Sequence, residues 1–197
     1  MNKTPPGQVR IIAGMLRGSK LPVRDMPGLR PSSDRARETL FNWLQNHVAG
    51  KRALDVFAGS GALGFEAASR GAAEVVLLER DSALAQSLRE SALRLKTANV
   101  HIESADALAW LARSPDRKFD LAFLDPPFQA GLWDSAAQAL SPWLNEGAWI
   151  YVELSRAAEF VAPPGWILYR QGQTREVRHL LYRLESPGQT ATLAPSS

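Results

Sequence analysis

The chain has 197 residues, 45% of them hydrophobic, and 23 Lys and Arg against 20 Asp and Glu give a formal net charge of +3; this length suits one domain with a sizeable core. It contains no cysteine, which excludes disulfides and thiolate metal sites, and the histidines His47, His101 and His179 are too far apart in sequence to suggest a metal motif. Because no run of about 20 apolar residues occurs and the N-terminus lacks an apolar signal core, we expect a soluble cytoplasmic protein with no membrane partner.

Positive charge is concentrated at the start of the chain. Residues 1–38 have a local net charge of +5, whereas the remaining residues have −2. A basic arm on a nearly neutral body is typical of proteins that bind a polyanion, since each neutralised phosphate releases counterions. The residues that we predict to contact nucleic acid are Arg10, Arg17, Lys20, Arg24, Arg30 and Arg35.

The first elements predicted along the chain are a hairpin and a helix. VRIIAG (9–14) and KLPV (20–23) flank a short basic turn at residues 17–19 and are typical of two paired strands. After a loop rich in Pro and Gly, Asp34 can cap a helix. The apolar face of that helix, which should attach the arm to the body, consists of Leu40, Phe41, Leu44 and Val48.

From residue 53 onward, strand-like runs alternate with segments of helical composition. The strand-like runs are ALDVF (53–57), EVVLLE (74–79), VHIES (100–104), FDLAFLD (119–125) and WIYVEL (149–154), and the helical segments start at Ala62, Asp81, Asp106 and Gly131. This order predicts a mainly parallel sheet with helices on both faces. Residues 166–185 leave no room for a crossover helix, so we expect an antiparallel pair that turns near Gly172, and therefore a mixed sheet.

These patterns divide the chain into three parts. We predict a basic hairpin arm (1–30), one α/β domain (31–185) and a tail (186–197). Because the tail is small and polar, it cannot bury a core, and we expect it to be disordered.

LDVFAGSGALGFE (54–66) lies at the predicted turn from a strand into a helix. Gly59, Gly61 and Gly64 satisfy G-x-G-x-x-G, and Glu79 ends the next strand about twenty residues further on. Glycines at this turn let the backbone approach a ligand closely, and a carboxylate at a strand end can accept both ribose hydroxyls. The pattern predicts a nucleoside cofactor; the alternative is a tight turn that binds no ligand.

The type of cofactor depends on Asp55. A carboxylate beside this turn would repel a pyrophosphate but could help to hold a cationic amino-acid group, which favours S-adenosylmethionine over NAD. Asp106, just after a strand, could accept the adenine amino group or could only cap the helix that follows. The residues that we predict to bind the cofactor are Asp55, Phe57, Gly59, Gly61, Glu79, Arg80, Asp106, Ala107 and Asp125.

The apolar run FDLAFLDPPF (119–128) ends in a carboxylate, two prolines and an aromatic ring. Prolines cannot continue a strand ladder, so the strand should stop at Asp125, at the edge where open α/β sheets bind ligands. Asp125 and the Pro126 carbonyl could accept hydrogen bonds from an exocyclic amine of a nucleobase and direct its lone pair at a methyl group, while Phe128 stacks on the base. The alternative is an ordinary strand-ending turn. The predicted catalytic residues are Asp125, Pro126, Pro127 and Phe128.

The sequence resembles class I methyltransferases with a D/N-P-P-F/Y/W motif and, more closely, the RsmD family of bacterial methyltransferases. The segments that carry the resemblance are RIIAGMLRGSKL (10–21), LRPSSDRARETLFNWL (29–44), LDVFAGSGALGFEAASRGA (54–72) and FLDPPF (123–128). The glycine turn and DPPF are shared by many methyltransferases, whereas RPSSDRARETLFNWL is more specific. The resemblance covers nearly the whole chain up to the final hairpin.

The resemblance implies a Rossmann-like α/β fold, a seven-stranded mixed sheet with helices on both faces and a small basic N-terminal hairpin extension. It implies transfer of a methyl group from S-adenosylmethionine to the exocyclic N2 of a guanine in 16S ribosomal RNA. The partner would be the small ribosomal subunit or its assembly intermediate, and the basic hairpin and RPSSDRAR loop match the region expected to meet RNA. We expect a monomer.

Three other functions stay open on the sequence alone. An enzyme of the same fold could methylate adenine N6 in DNA or an amide nitrogen in protein, since Asp125 would serve either acceptor. An RNA-binding assembly factor could keep the cofactor pocket and perform no chemistry. GSGALG could also belong to an NAD-dependent oxidoreductase, which Asp55 disfavours.

Overall fold

The computed structural model describes residues 7–23, 34–127 and 131–185, which form a small hairpin and a larger sheet covered by helices. The strands are β1 (Gln8–Arg10), β2 (Lys20–Pro22), β3 (Arg52–Asp55), β4 (Glu74–Glu79), β5 (Val100–Ser104), β6 (Phe119–Leu124), β7 (Leu144–Ser155), β8 (Trp166–Gln173) and β9 (Val177–Leu184). The helices are α1 (Asp34–Trp43), α2 (Ala62–Ser69), α3 (Ser82–Leu95), α4 (Ala107–Leu111) and α5 (Trp133–Leu140).

The larger sheet has seven strands in the order β5-β4-β3-β6-β7-β9-β8. β3 pairs in parallel with both β4 and β6, whereas β9 is antiparallel to its neighbours β7 and β8. The strand order therefore reverses at β3, and in open α/β sheets the crevice at such a reversal, outside the carboxyl ends of the strands, is where ligands bind. The α/β class and the mixed seven-stranded sheet are confirmed.

The core occupies both faces of this sheet. On the first face, α1, α2 and α3 pack against the strands, and the Phe41 ring of α1 lies 5.9 Å from the Phe123 ring of β6. On the second face, α4 and α5 form the cover, and the ring centroids of Trp110 and Trp143 are 4.1 Å apart. Burying one such side chain is worth roughly 1.5–3 kcal/mol, so these apolar faces determine which helix lies on which side.

The N-terminal hairpin differs from the prediction, because β1 ends at Arg10 rather than at residue 14. The amides of Ile12 and Ala13 donate to the Glu66 carboxylate of α2 at 2.8 and 3.1 Å. Further along, the Leu16 amide donates to the Ser69 hydroxyl at 2.9 Å. The Ile11 amide still donates across the hairpin to the Ser19 carbonyl at 2.9 Å, and the chain is bonded to α2 from Ile12 onward.

Two later boundaries also differ. α1 ends at Trp43, because the chain then tightens into a turn in which the His47 amide donates a hydrogen bond to the Leu44 carbonyl at 2.7 Å. Leu44 and Val48 are buried just beyond the helix. The turn of the final hairpin falls at residues 174–176, and Gly172 lies inside β8. If Gly172 had a Cβ atom, that atom would lie 3.3 Å from the Trp43 ring. A missing side chain at Gly172 makes room for Trp43 and does not mark the turn.

The predicted division into arm, domain and tail stays a prediction. Residues 24–30 of the arm and the tail 186–197 lie outside the described residues. Within the described ranges, no helix is long and apolar enough to span a bilayer.

A buried ion cluster attaches α1 and the hairpin to α2. Glu66 and Arg37 are both fully buried, and a Glu66 oxygen lies 3.6 Å from an Arg37 nitrogen. Glu66 also accepts from Arg70 at 2.8 Å. Arg37 donates to the Arg10 carbonyl at 2.9 Å and pairs with Asp34 at 2.6 Å. One carboxylate therefore joins three separate segments of the chain.

Glu66→Gln should lower the free energy of unfolding by about 3 kcal/mol, because it removes the charge that balances buried Arg37 and leaves one acceptor oxygen for two backbone amides. Urea denaturation at constant pH measures the loss. The control is Glu90→Gln on the exposed side of α3, which should change little. Equal losses in the two variants would contradict a special role for Glu66.

Candidate active site

The site is built around the turn between β3 and α2. Asp55, the last residue of β3, is 2% exposed, and its carboxylate accepts the Gly64 amide at 3.1 Å. Gly61 precedes α2 with φ 76°, a left-handed conformation that favours glycine. A Cβ on Gly64 would collide with Leu77 of β4. Gly59, with φ 52°, has the same kind of conformation as Gly61, so the glycine pattern corresponds to two backbone requirements and one packing requirement.

Glu79, at the end of β4, closes the turn from the neighbouring strand. One carboxylate oxygen accepts the Gly59 amide at 2.9 Å, and the other accepts the Asp81 amide at 2.8 Å. Burial raises the pKa of Glu79, although the hydrogen bonds from these two amides lower it in part. A carboxylate has about four lone-pair positions, so these two bonds leave acceptor capacity.

The pKa of Asp55 is raised well above its ordinary value. Burial raises its pKa to about 7, and the negative charge of Glu79 adds to this effect, whereas the bond from Gly64 lowers it. A buried carboxylate with such a pKa is stabilised in its charged form by a nearby cation. The electrostatics at this turn therefore favour a cationic ligand group over an anionic one.

The other predicted cofactor residues lie around the same edge, with different exposures. Asp106 caps α4, since one of its carboxylate oxygens accepts a hydrogen bond from the Ala109 amide at 3.0 Å. That oxygen therefore serves as the helix cap that the sequence offered as the alternative to binding adenine. Ala107 is buried at the start of α4, Phe57 is half-buried, and Arg80 is exposed.

Asp125 follows the last residue of β6 and is half-buried, with buried Pro126 and exposed Pro127 after it. Because Asp55 pairs with Phe123, Asp125 lies two residues further along the adjacent strand. Glu79 likewise lies two residues beyond Leu77, the partner of Asp55 on β4. The structure thus brings Asp55, Glu79 and Asp125 to the carboxyl ends of adjacent strands. Phe128 lies outside the described residues.

Of the six residues predicted to contact nucleic acid, four are described by the structure and all four are exposed. Arg10, Arg17 and Lys20 are exposed on the hairpin, and Arg35 is exposed on α1. The Lys20 carbonyl accepts an Arg94 guanidinium proton at 2.7 Å, which attaches β2 to α3. Arg24 and Arg30 lie outside the described ranges.

Sequence analysis missed three buried polar residues at this edge of the sheet. The Tyr151 hydroxyl donates to Glu153 at 2.8 Å and lies 2.7 Å from Nδ1 of His179. Burial raises the pKa of Tyr151, and the charges of Glu153 and Asp125 add to the rise. The available signal was the spacing of Tyr151 and Glu153, two residues apart in a strand that is otherwise apolar in this part.

The strand order, the glycine turn and the carboxylates at adjacent strand ends define a class I methyltransferase architecture. The family described as Conserved hypothetical protein 95 matches residues 9–183. The chain belongs to this family, which confirms the resemblance to the RsmD family.

Individual relatives agree with this assignment. Ribosomal RNA small subunit methyltransferase D of Escherichia coli (strain K12) is 42% identical over 192 residues, 96% of each chain. The protein of the same name from Haemophilus influenzae is 42% identical over 90% of this chain and 94% of its own. A solved structure, the putative methyltransferase yhhF from Escherichia coli, superposes with a TM-score of 0.83 and 43% identity over 91% of this chain and 99% of that chain.

Asp55→Asn should change how stability depends on pH in the cofactor-free protein. The folded pKa of Asp55, about 7, exceeds its ordinary value of 3.8. The raised pKa therefore contributes to the stability of the folded wild type in full below pH 3.8, and this contribution is lost as the pH rises through about 7. Asn keeps an acceptor for the Gly64 amide and does not titrate. Between about pH 4 and about pH 8, the stability of the variant relative to the wild type should rise by roughly 2–4 kcal/mol.

Urea unfolding of both proteins across this pH range measures the difference. Parallel curves for the two proteins would mean that Asp55 keeps an ordinary pKa in the folded chain.

Proposed function

We propose that this protein transfers a methyl group from S-adenosylmethionine to the exocyclic N2 of a guanine in 16S ribosomal RNA. The observation that carries the proposal is the set of carboxylates Asp55, Glu79 and Asp125 around one glycine turn. Its support from relatives is that the chain belongs to a family with members named ribosomal RNA small subunit methyltransferase D.

The residues at the turn fit S-adenosylmethionine better than a dinucleotide. Asp55, with a pKa near neutrality, gains from the positive charges of this cofactor and would be opposed by a pyrophosphate. Glu79 would accept the ribose hydroxyls, and Asp106 and Ala107 would lie beside the adenine. Phe57, Gly59, Gly61 and Arg80 would complete the cofactor site. When bound, the cofactor supplies a methyl group activated by a sulfonium.

Asp125 and the residues after it would hold the base. The lone pair of an exocyclic amine is delocalised into the ring, and acceptors at Asp125 and the Pro126 carbonyl would turn that amine toward tetrahedral geometry. Pro127 restricts the backbone after this carbonyl, so the acceptor is positioned before the base arrives. Phe128 would stack on the base, which has to leave its own stack to reach the site.

The hairpin would hold the RNA backbone next to the site. Arg10, Arg17 and Lys20 are exposed on a hairpin that is fixed to α2 through backbone bonds to Glu66, and Arg35 is exposed on α1. We assign Arg24 and Arg30 to the same surface on sequence alone. We also propose that the substrate is the small subunit or its assembly intermediate, that the protein acts in the cytoplasm and that it acts as a monomer.

The decisive experiment supplies methyl-labelled S-adenosylmethionine and small ribosomal subunits that lack the modification, then identifies the labelled nucleoside. Label in N2-methylguanosine of 16S RNA is the expected result. Label in N6-methyladenosine or in protein would replace the proposed acceptor. Cofactor binding without any label would favour the assembly factor.

Asp125→Ala should reduce turnover in this assay by roughly 10²–10³-fold, because the amine loses an oriented acceptor. Asp125 is also among the predicted cofactor contacts, but cofactor affinity, measured by calorimetry, should change far less than turnover, since Asp55 and Glu79 form the contacts at the turn. The matched control is Asp116→Ala, an exposed carboxylate elsewhere on the surface. Near-normal turnover in Asp125→Ala would remove this residue from the mechanism.

Reversing the hairpin charges should weaken RNA binding and flatten its salt dependence. In Arg17→Glu/Lys20→Glu, the slope of log affinity against log salt should fall by about one for each lost phosphate contact. The control is Lys51→Glu/Lys118→Glu, which makes the same charge change at exposed positions before β3 and β6. Equal slopes in the two double variants would show that the hairpin is only a solvated surface.

A further inference from the structure

A second carboxylate lies on the strand next to Asp125. Leu124 pairs with Val152, so Asp125 and Glu153 occupy the next register position on β6 and β7, and Glu153 pairs in turn with His179 on β9. Adjacent strands are about 4.8 Å apart. The charges of both Asp125 and Glu153 act on the hydroxyl of Tyr151, which places the two carboxylates near the same group.

Glu153 is held in place from several directions. The hydroxyl proton of Tyr151 goes to the carboxylate, so the hydroxyl oxygen accepts from Nδ1–H of His179, 2.7 Å away; this network assigns the proton to Nδ1. The same Glu153 oxygen lies 3.6 Å from that nitrogen. From the other face of the sheet, the Trp133 indole donates to the Glu153 carbonyl at 2.8 Å.

Stability alone does not account for this arrangement. Glu153 is 6% exposed, and burying a carboxylate costs free energy that a well-packed apolar side chain would avoid. Its neighbours on β7, Val152 and Leu154, are apolar and fully buried. A carboxylate in such a position, bonded to Tyr151 and close to His179, points to an electrostatic task.

We propose that Glu153, oriented by Tyr151 and His179, is a positioning residue that makes Asp125 a stronger acceptor for the amine proton. This inference rests on the proposed function. In methyl transfer, the carbon–sulfur bond breaks with its electron pair left on sulfur, the N2–carbon bond forms, and the surplus proton on N2 passes to Asp125. An isolated aspartate is a weak base, and a like charge one strand away increases its affinity for that proton.

Other titratable groups near Asp125 also influence its affinity for a proton. Among the described residues on this face of the sheet, they are Asp55 on β3, Glu79 on β4, Tyr151 and Glu153 on β7, and His179 on β9. From the helices above, Arg37 and Glu66 form an ion pair with each other. Glu153 is the carboxylate at the register position directly beside Asp125.

The test measures the single-turnover methylation rate of Glu153→Gln as a function of pH. Gln keeps an acceptor for the Tyr151 hydroxyl and removes the charge. The rate on the plateau should fall roughly tenfold. The acid limb should move to lower pH, because Asp125 without its charged neighbour stays ionised further into acid. Cofactor affinity and the KM for RNA should be unchanged.

Three comparisons make the result decisive. Glu153→Asp keeps the charge, so its acid limb should stay at the wild-type position even if its rate falls. Glu146→Gln, an exposed position near the start of the same strand, should change neither quantity. Calorimetric cofactor binding shows that each variant is folded.

A lower rate with an unmoved acid limb in Glu153→Gln would reduce Glu153 to a structural role and overturn the inference. The pH–rate profile, and with it the acid limb, is measured with whichever amine substrate the wild type methylates. The identity of the labelled nucleoside therefore tests the proposed function, and the shift of the limb tests Glu153 separately.

Discussion

The hydrogen bond from the Gly59 amide to Glu79 is the contact on which the site depends most. It joins the turn that leaves β3 to the end of β4, so the turn lies over the point where the strand order reverses. Because Glu79 also accepts the Asp81 amide, the same carboxylate fixes the start of α3. Two successive β-α turns are thereby positioned by one side chain, and the space between them is set before any ligand arrives.

α2 connects the glycine turn to the N-terminal hairpin. The helix begins at the glycine turn, and its Glu66 binds the segment after β1 and pairs with Arg37 of α1. Eight residues of helix span about 12 Å, and the hairpin packs along this length, from Ala62 beside the turn to Ser69 at the helix end. The surface proposed for RNA and the turn proposed for the cofactor therefore have a fixed relation that does not depend on a flexible linker.

Sequence reasoning succeeded where a local pattern has one physical meaning. Alternating apolar runs located the strands of the larger sheet, and Asp81 and Asp106 marked the starts of α3 and α4 because caps are local. It failed where a distant partner decides the outcome. The hairpin pairing stops after Ile11 because Glu66 accepts the amides of Ile12 and Ala13, and Gly172 lies in β8, where its missing side chain leaves room for Trp43. The roles assigned to the site residues stay predictions, since they concern ligands and not the chain.

The buried row of Tyr151, Glu153 and His179 was hidden for a related reason. Each residue alone is compatible with an exposed strand position, and only the register of β7 with β9 brings the three together. Helix α1 contains another contact that the sequence does not reveal. Arg37 looks like one more basic residue of the first 38, and only its burial and its pairing with Glu66 distinguish it from exposed Arg35.

The placement of the acids follows the movement of charge in the proposed reaction. In that reaction, the positive charge would lie on the cofactor, near Asp55 on β3, before transfer. After transfer it would lie on the base, near Asp125 on β6 and Glu153 on β7. Since β6 is the direct neighbour of both β3 and β7, the charge moves along one edge of the sheet and is opposed by a carboxylate at each end. Burial and the charge of Glu79 raise the pKa of Asp55 to about 7, so a cation beside Asp55 would stabilise its charged form.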